Sequence, residues 1–302
     1  MVVRRLDFSS LPAMAQDLLG HIGSEADVAE KRIFLVGGAV RDLLLMSPVA
    51  DIDIVIEGDA IAFANRLAKK QQVSIRPHEK FGTVALTFKD GLSLDMATAR
   101  SESYARPGAL PDIVPGVIKD DLFRRDFTIN ALACGLNTVN HGVIRDDMEG
   151  LADIEAHLIR IIHPKSFQDD PTRILRAARF AARFGFQLDA LTEEVAYQAI
   201  AAGALLSITP GRYFLELGRI LQEKDPVPAM DLLSFWGGIR YLPYEAEDRE
   251  RLTRCSGDLE DRLAALLGGF SSKKSEEILT SFNLSRTMKR EVLRKLSLGK
   301  KR

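Results

Sequence analysis

Apolar and polar positions follow two different periods along this chain, and the change from one to the other divides it. In the first half, short apolar runs read as strands. Residues 33–36 (IFLV) are uniformly apolar, and 51–57 (DIDIVIE) alternate with a period of two, the mark of a strand with one buried face. Further strands are predicted over 73–77, 83–89 and 92–98, the last two joined by Asp90-Gly91, a dipeptide suited to a tight hairpin turn. Helical patterns lie between them, at 40–46 after Gly37-Gly38 and from the turn Gly58-Asp59 to about residue 72. Residues 101–116 hold three prolines and two glycines and predict an irregular loop. A helix is expected over 120–135 and another hairpin around His141-Gly142.

From Gly150 onward the period is almost wholly helical. Asp170-Pro171 supplies a capping acid and a proline whose missing N–H costs nothing at the first helical position, and Gly185 supplies a stop. Thr192 and Thr209-Pro210 open two more helices. Beyond Glu245 the helices are strongly charged. In their last part Lys273, Lys274, Arg286, Lys289, Arg290, Arg294, Lys295, Lys300, Lys301 and Arg302 face only Glu276, Glu277 and Glu291. Such a run reads as a solvated helix face or as a surface for a nucleic-acid backbone. The fold class is therefore α+β, a small mixed sheet with flanking helices followed by an all-α region.

Composition narrows the class further. Of 302 residues, 46% are hydrophobic and 27% charged, enough apolar material for a real core and too much for wholesale disorder. Lys+Arg (41) nearly balances Asp+Glu (42), so a polyanionic partner would have to be met by local clustering of charge. Two distant cysteines, Cys134 and Cys255, make neither a disulfide framework nor a cysteine zinc site, and suit a reducing, cytoplasmic setting. The N-terminal segment lacks the apolar core of a signal peptide. No run approaches the ~20 apolar residues of a membrane helix, so no membrane partner is expected.

Four short elements carry candidate chemistry. Gly37-Gly38-Ala39-Val40-Arg41-Asp42 joins a strand to a helix; the glycines let backbone N–H groups approach an anion, and Arg41 adds a charge. The same element is also an ordinary tight connection. Asp51 and Asp53 sit two apart in a strand, so their carboxylates share a face and repel unless a cation lies between them. Mg²⁺ wants such oxygen ligands while keeping waters and substrate phosphates. Asp95 could add a third carboxylate from a neighbouring strand or accept a hydrogen bond from an arginine. Arg125, Asp126 and Asn130 combine guanidinium, acid and amide, a set suited to a ribose and a phosphate, with Asp126 and Asn130 four apart on the expected helix. Finally Arg173, Arg176, Arg179 and Arg183 follow Asp170 at spacings of three and four and predict a basic stripe opposite an apolar face of Ile174, Ala177, Ala181 and Phe184.

In this order, G-G-x-V-R-D, D-x-D, R-R-D-F-T-x-N-A and D-D-P-x-R-x-L-R-A-x-R-F, the motifs resemble the bacterial tRNA nucleotidyltransferase/poly(A) polymerase family, which includes the CCA-adding enzymes. The resemblance implies a nucleotidyltransferase head with an N-terminal helix over 1–148, a helical neck with a base-reading helix over 149–205, and a helical body over 206–302 with a short or absent tail. It implies template-independent transfer of CMP, AMP or both from CTP and ATP to the 3′ end of tRNA. Asp51 and Asp53 would hold catalytic Mg²⁺, and Gly38 and Arg41 would meet the nucleotide phosphates. Arg125, Asp126 and Asn130 would hold ribose and triphosphate. Asp170 and Arg173 would read the base, with Arg176 and Arg179 steadying them. The proline-rich stretch falls where the family has its flexible loop. The family's alternatives are a poly(A) polymerase and a catalytically silent nucleotide- or RNA-binding module.

Hydrogen-bond chemistry supports the base-reading pair. A carboxylate only accepts and a guanidinium only donates. Cytosine and adenine each offer an amino donor beside a ring-nitrogen acceptor, so both fit Asp170 with Arg173. Uracil and guanine present the opposite pattern. The sequence departs from the family at Gly211, which stands where the later Glu-Arg-Ile-x-x-Glu-Leu motif begins with glutamate and puts in question one expected brace of the base-reading helix, and at residues 78–83 (HEKFGT), which lack the Arg-Arg-Phe-type signature of poly(A) polymerases and so favour tRNA end addition.

Overall fold

The computed structural model describes residues 4–70, 73–89 and 91–299. Asp90 of the expected hairpin turn, the end of the helix expected to reach residue 72, and Lys300, Lys301 and Arg302 lie outside the described residues. The chain packs as two compact units. The first comprises Met1–Ser103, Pro111–Ala156 and Arg160–Ile162; the second comprises Tyr104–Leu110, His157–Ile159 and His163–Arg302.

The first unit is built on a seven-stranded sheet. Its strands are β1 (Ile33–Val36), β2 (Asp53–Ile56), β3 (Val73–His78), β4 (Thr83–Phe88), β5 (Ser93–Thr98), β8 (Leu132–Gly135) and β9 (Ile144–Asp146), in the order β3-β4-β5-β2-β1-β8-β9. All neighbours are antiparallel except β2 and β5, so the sheet is mixed as expected. A separate antiparallel ribbon joins β6 (Arg100–Ser103) to β7 (Asp112–Pro115). Helix α1 (Ala13–Val28) comes first; α2 (Gly38–Leu44), α3 (Ala60–Lys70), α4 (Ile118–Phe123) and α5 (Gly150–Glu155) follow between and after the strands. The Asp59 carboxylate accepts from the N–H groups of Ile61 and Ala62, which starts α3. Helix α3 packs against β3, β4 and β5, burying Phe63, Ala64 and Leu67, so Val84, Leu86, Leu94 and Met96 are covered. A core of Phe34, Val36, Val55, Ala99, Ile118, Leu122, Ala131 and Ala133 fills the unit near β1 and β8. On the other face of β8 Cys134 is wholly buried, and burial pushes its thiol up to about 12.

Two expectations are corrected here. Residues 120–135 are not one helix: α4 ends at Phe123, one turn of 3₁₀ helix spans Thr128–Asn130, and Leu132–Gly135 is the strand β8 between β1 and β9. A short apolar run flanked by helical signals has no period of its own to separate strand from helix. Residues 101–116 are not wholly irregular, because their two ends pair as β6 and β7.

The second unit is mainly helical, with α6 (Ser166–Asp169), α7 (Thr172–Phe184), α8 (Ala190–Ala201), α9 (Pro210–Leu221), α10 (Val227–Phe235), α11 (Ala246–Arg254), α12 (Leu259–Leu267), α13 (Ser272–Ser281) and α14 (Arg286–Gly299). A short parallel ladder of β10 (Leu158–Ile159) and β11 (Gln187–Leu188) interrupts the helical pattern. Local signals act as read: Gly185 ends α7 with a left-handed φ of 66°, and the Thr209 hydroxyl caps α9 through the Arg212 N–H. Helix α8 starts two residues before Thr192, capped by Asp189. Tyr213 is fully buried and its hydroxyl accepts from the Arg240 N–H at 3.0 Å. The C-terminal basic residues are partly neutralised, Arg294 by Glu291 and Lys295 by Asp258 and Asp261.

Candidate functional site

In the first unit the parallel pairing of β2 and β5 sets Asp53 opposite Asp95. The ladder runs one residue further upstream, because the Asp95 N–H donates to the Ile52 carbonyl at 3.0 Å. Asp51 therefore sits just ahead of β2 on the same face as Asp53, while Ile52, Ile54 and Ile56 are buried on the other. Burial raises the Asp53 carboxyl above its ordinary range; Arg125 opposes this, and the carboxylates of Asp95, Asp51 and Asp121 reinforce it.

Gly37 turns the chain from β1 into α2 at a φ of +66°. A Cβ there would lie 2.3 Å from Nη1 of Arg125, so the missing side chain is what lets the guanidinium in. Arg125 donates to Asp121 at 2.9 Å and to the Asn130 carbonyl at 3.4 Å. Burial pushes the Asp121 carboxyl up, but Arg125 and Arg124 outweigh it and hold it below its usual range. The buried Nε of Arg125 has no acceptor among the described residues, which leaves a donor for a ligand oxygen. Arg41 is itself buried. It donates to Asp42 at 2.7 Å and to the Asn130 side-chain oxygen, and Asn130 donates to Asp126 at 2.9 Å. Asp126 and Asn130 thus meet through a tight turn rather than through one helix face.

In the second unit Asp170 precedes α7 and accepts from the Thr172 N–H at 3.1 Å and its hydroxyl at 2.7 Å. Arg212 of α9 donates to the same carboxylate at 3.0 Å and, through Nη1, to the Gly108 carbonyl at 2.5 Å. Arg173 is buried and donates to the Ser166 hydroxyl at 2.7 Å. His163 lies near; burial and then Arg173 hold its imidazole below the ordinary range. The arginines after it do not form an open stripe. Arg179 is buried, paired with Glu223 at 3.2 Å and stacked 4.4 Å from the Phe180 ring centre, and Arg176 lies 3.7 Å from Glu216. Low-dielectric surroundings demand such partners for buried guanidinium groups, and helix spacing alone does not reveal them.

Asp121 and Glu223 were not singled out in the sequence, and Asp42, Arg212 and Glu216 stood within its motifs without a role of their own. Arg125 lies four residues after Asp121 and Glu216 four after Arg212, a helical spacing that offers a signal for two of them. The rest of the motif that Gly211 opens does brace the helix: Arg212 ties α9 to Asp170, and Glu216 reaches Arg176.

In the first unit a carboxylate pair lies beside a strand–glycine–helix turn, an arrangement of the nucleotidyltransferase class, and the comparisons agree with that class. Residues 33–160 match the poly(A) polymerase head domain. The A-adding tRNA nucleotidyltransferase of Halalkalibacterium halodurans is 40% identical over 242 residues, covering 78% of this chain and 57% of that protein. The CC-adding tRNA nucleotidyltransferase of Deinococcus radiodurans is 38% identical over 231 residues, covering 76% and 59%. A CCA-adding enzyme solved in an apo form superposes with a TM-score of 0.84 at 34% identity, covering 97% of this chain and 74% of that one. This chain belongs to the tRNA nucleotidyltransferase/poly(A) polymerase family. It spans less than two thirds of the length of the curated relatives it matches, from 24% to 59%.

Proposed function

We propose that this protein is a tRNA nucleotidyltransferase that adds CMP, AMP or both, from CTP and ATP, to the 3′ end of tRNA and releases pyrophosphate. The observation that carries the reading is the pairing of Asp53 with Asp95 across β2 and β5, with Asp51 just ahead of β2, in a chain of this family. Related CCA-adding enzymes have been solved with ATP, with CTP and with tRNA, which supports the same substrates here. Relatives named for A addition reach 44% identity, which favours AMP as the group transferred.

The donor set fits a divalent cation. The carboxylates are hard oxygen ligands, and Asp53 sits where like charges and burial disfavour its ionised form; a cation would relieve that repulsion. Among the described residues no group of three or more His, Cys, Asp or Glu is placed to hold a metal ion, and the two carboxylates of Asp51 and Asp53 would be the protein's ligands to an ion that otherwise keeps waters and substrate phosphates. When bound by Asp51 and Asp53, Mg²⁺ would supply Lewis-acid stabilisation of charge at the reacting phosphate. Arg125, with its spare buried Nε, and the N–H groups behind Gly38 would orient the triphosphate. Asp126 and Asn130 would hold the ribose, with Arg41 fixing Asn130 from beneath. Asp170 and Arg173 would select the base, and Arg176 and Arg179 would stiffen their helix. The chain would be organised as a head (1–148), a neck (149–205) and a body (206–302), working in a reducing cytoplasm.

The test is extension of tRNAs ending before CCA, after the first C and after the second C, with each of the four nucleoside triphosphates and Mg²⁺. Extension with CTP or ATP and refusal of UTP and GTP is expected. Asp53→Ala should reduce extension to background while circular dichroism stays that of the wild type. Failure to extend any of these tRNAs would overturn the reading. Repeated AMP addition would make the protein a poly(A) polymerase, and nucleotide binding without pyrophosphate release would make it a silent binding module.

A further inference from the structure

The sheet face that carries the carboxylates does not stop at them. Arg76 on β3 pairs with Ala85 on β4, Ala85 with Asp95 on β5, and Asp95 with Asp53 on β2. These four residues form one row across four adjacent strands, with their side chains on the same face. A second row runs beside it: Ser74 pairs with Thr87 and Thr87 with Ser93, and Asp51 lies level with its end. The residues Asp51, Ser74, Arg76, Thr87, Ser93 and Asp95, together with Ala85, Ile52 and Leu94, line an open cavity of about 200 Å³.

The chemistry along the rows is graded. Carboxylates occupy the β2/β5 end, hydroxyls occupy the middle, where Ser93 donates to Thr87 at 3.2 Å, and one guanidinium occupies the far edge. Adjacent strands lie about 4.8 Å apart, so Arg76 stands roughly 10 Å from Asp95 and 14 Å from Asp53 along the row. Arg76 is exposed and forms no ion pair among the described residues. Ala85 is the one apolar side chain in these two rows, and the rows themselves hold no aromatic residue on which a base could stack. A ligand on this floor therefore meets hydrogen-bond donors and one positive charge, which suits a sugar–phosphate backbone rather than bases.

Resting on the reading of Asp51 and Asp53 as the catalytic pair, we infer that this polar face is the track for the RNA strand whose 3′ end reacts. Arg76 grips a backbone phosphate one or two nucleotides upstream of that end, and the hydroxyls of Ser74, Thr87 and Ser93 line the path between. The arrangement answers an electrostatic problem. A polyanion must bring its terminus to a group of carboxylates that repel it. A guanidinium placed two strands away holds the strand without neutralising the carboxylates themselves. Because the contacts fall on the backbone, this hold is independent of the last bases of the RNA.

The test measures steady-state extension of a tRNA acceptor minihelix, and equilibrium binding of the same RNA without metal, for wild type, Arg76→Ala and Arg76→Lys. Arg76→Ala is expected to raise the KM and the dissociation constant for RNA on the order of tenfold. It should lower the salt slope of binding by about one and leave the KM for the nucleoside triphosphate at its wild-type value. Arg76→Lys should recover most of the binding. A methylphosphonate at the gripped linkage should weaken the wild type by the same factor and leave Arg76→Ala unchanged. An RNA affinity unaffected by Arg76→Ala would overturn the inference, leaving Arg76 as a charge that guards an edge strand. A change in the nucleotide KM instead would assign the track to the triphosphate. Because binding is measured without turnover, inactivity of the wild type would count against the proposed reaction and not against this track.

Discussion

Arg212 joins two acceptors that are far apart in the chain, the Asp170 carboxylate and the Gly108 carbonyl. Asp170 has little else to fix it besides its own helix start, so the angle at which it meets a base depends on this guanidinium. Arg212→Ala is expected to loosen base choice, lowering the preference for the correct nucleotide over UTP about tenfold, the equivalent of some 1.4 kcal/mol. The ratio of kcat/KM for the two nucleotides checks it, and Arg212→Lys should restore only part of the preference because a lysine lacks the two-pronged fork. At this scale the sequence revealed the residue types but not their surroundings. Asp51 and Asp53 were legible because a period of two fixes which face each side chain takes. Arg41, Arg173 and Arg179 read as charges for a ligand, and all three are buried; Asn130 beside Arg41 and Glu223 beside Arg179 come from segments that helical spacing does not connect.

Elements were legible where a local signal was strong and ambiguous where it was not. Asp59, Thr209 and Gly185 set helix ends that the chain adopts. Strand β8 was hidden because its neighbour β1 comes from a distant part of the chain, and pairing with β1 and with the following strand β9 overrides the helical signals around it. Two glycines separate close packing from mere permissiveness. In α1, a Cβ on Gly23 would lie 1.9 Å from the Leu136 carbonyl oxygen, whereas in α9 a Cβ on Gly211 would lie 3.6 Å from the nearest atom, the Phe282 carbonyl oxygen. Gly23→Ala should therefore destabilise the fold by about 1–3 kcal/mol. Gly211→Ala should stabilise it by about 0.4–1 kcal/mol, since the methyl group meets ordinary contacts and the unfolded chain loses freedom. Denaturant titration of both variants, compared through their midpoints at constant slope, checks the opposite signs.

For the whole molecule, the change of period near Gly150 anticipated a sheet-bearing part and a helical part. The sharing out of residues 104–110 and 157–162 between the two compact units was not visible, since composition does not change there. Each unit has its own buried residues, and the single tryptophan, Trp236, is 3% exposed in the second unit. Ile54→Ala removes side-chain volume from a strand of the first unit that is 1% exposed, a loss worth about 2–5 kcal/mol. Its expected outcome is a lowered unfolding midpoint by far-ultraviolet circular dichroism with an unmoved midpoint by tryptophan emission. Equal shifts in both would show a single cooperative unfolding unit.

The burial of Cys134 has a practical corollary. A thiol enclosed in the sheet and titrating far above neutrality is closed to alkylating reagents, because only the thiolate reacts, while Cys255, at the end of α11, is partly open to solvent. The native chain thus comes with a single attachment point for a fluorophore or spin label on its helical part. The conformational response to RNA and nucleotide can be followed from that position without removing any residue.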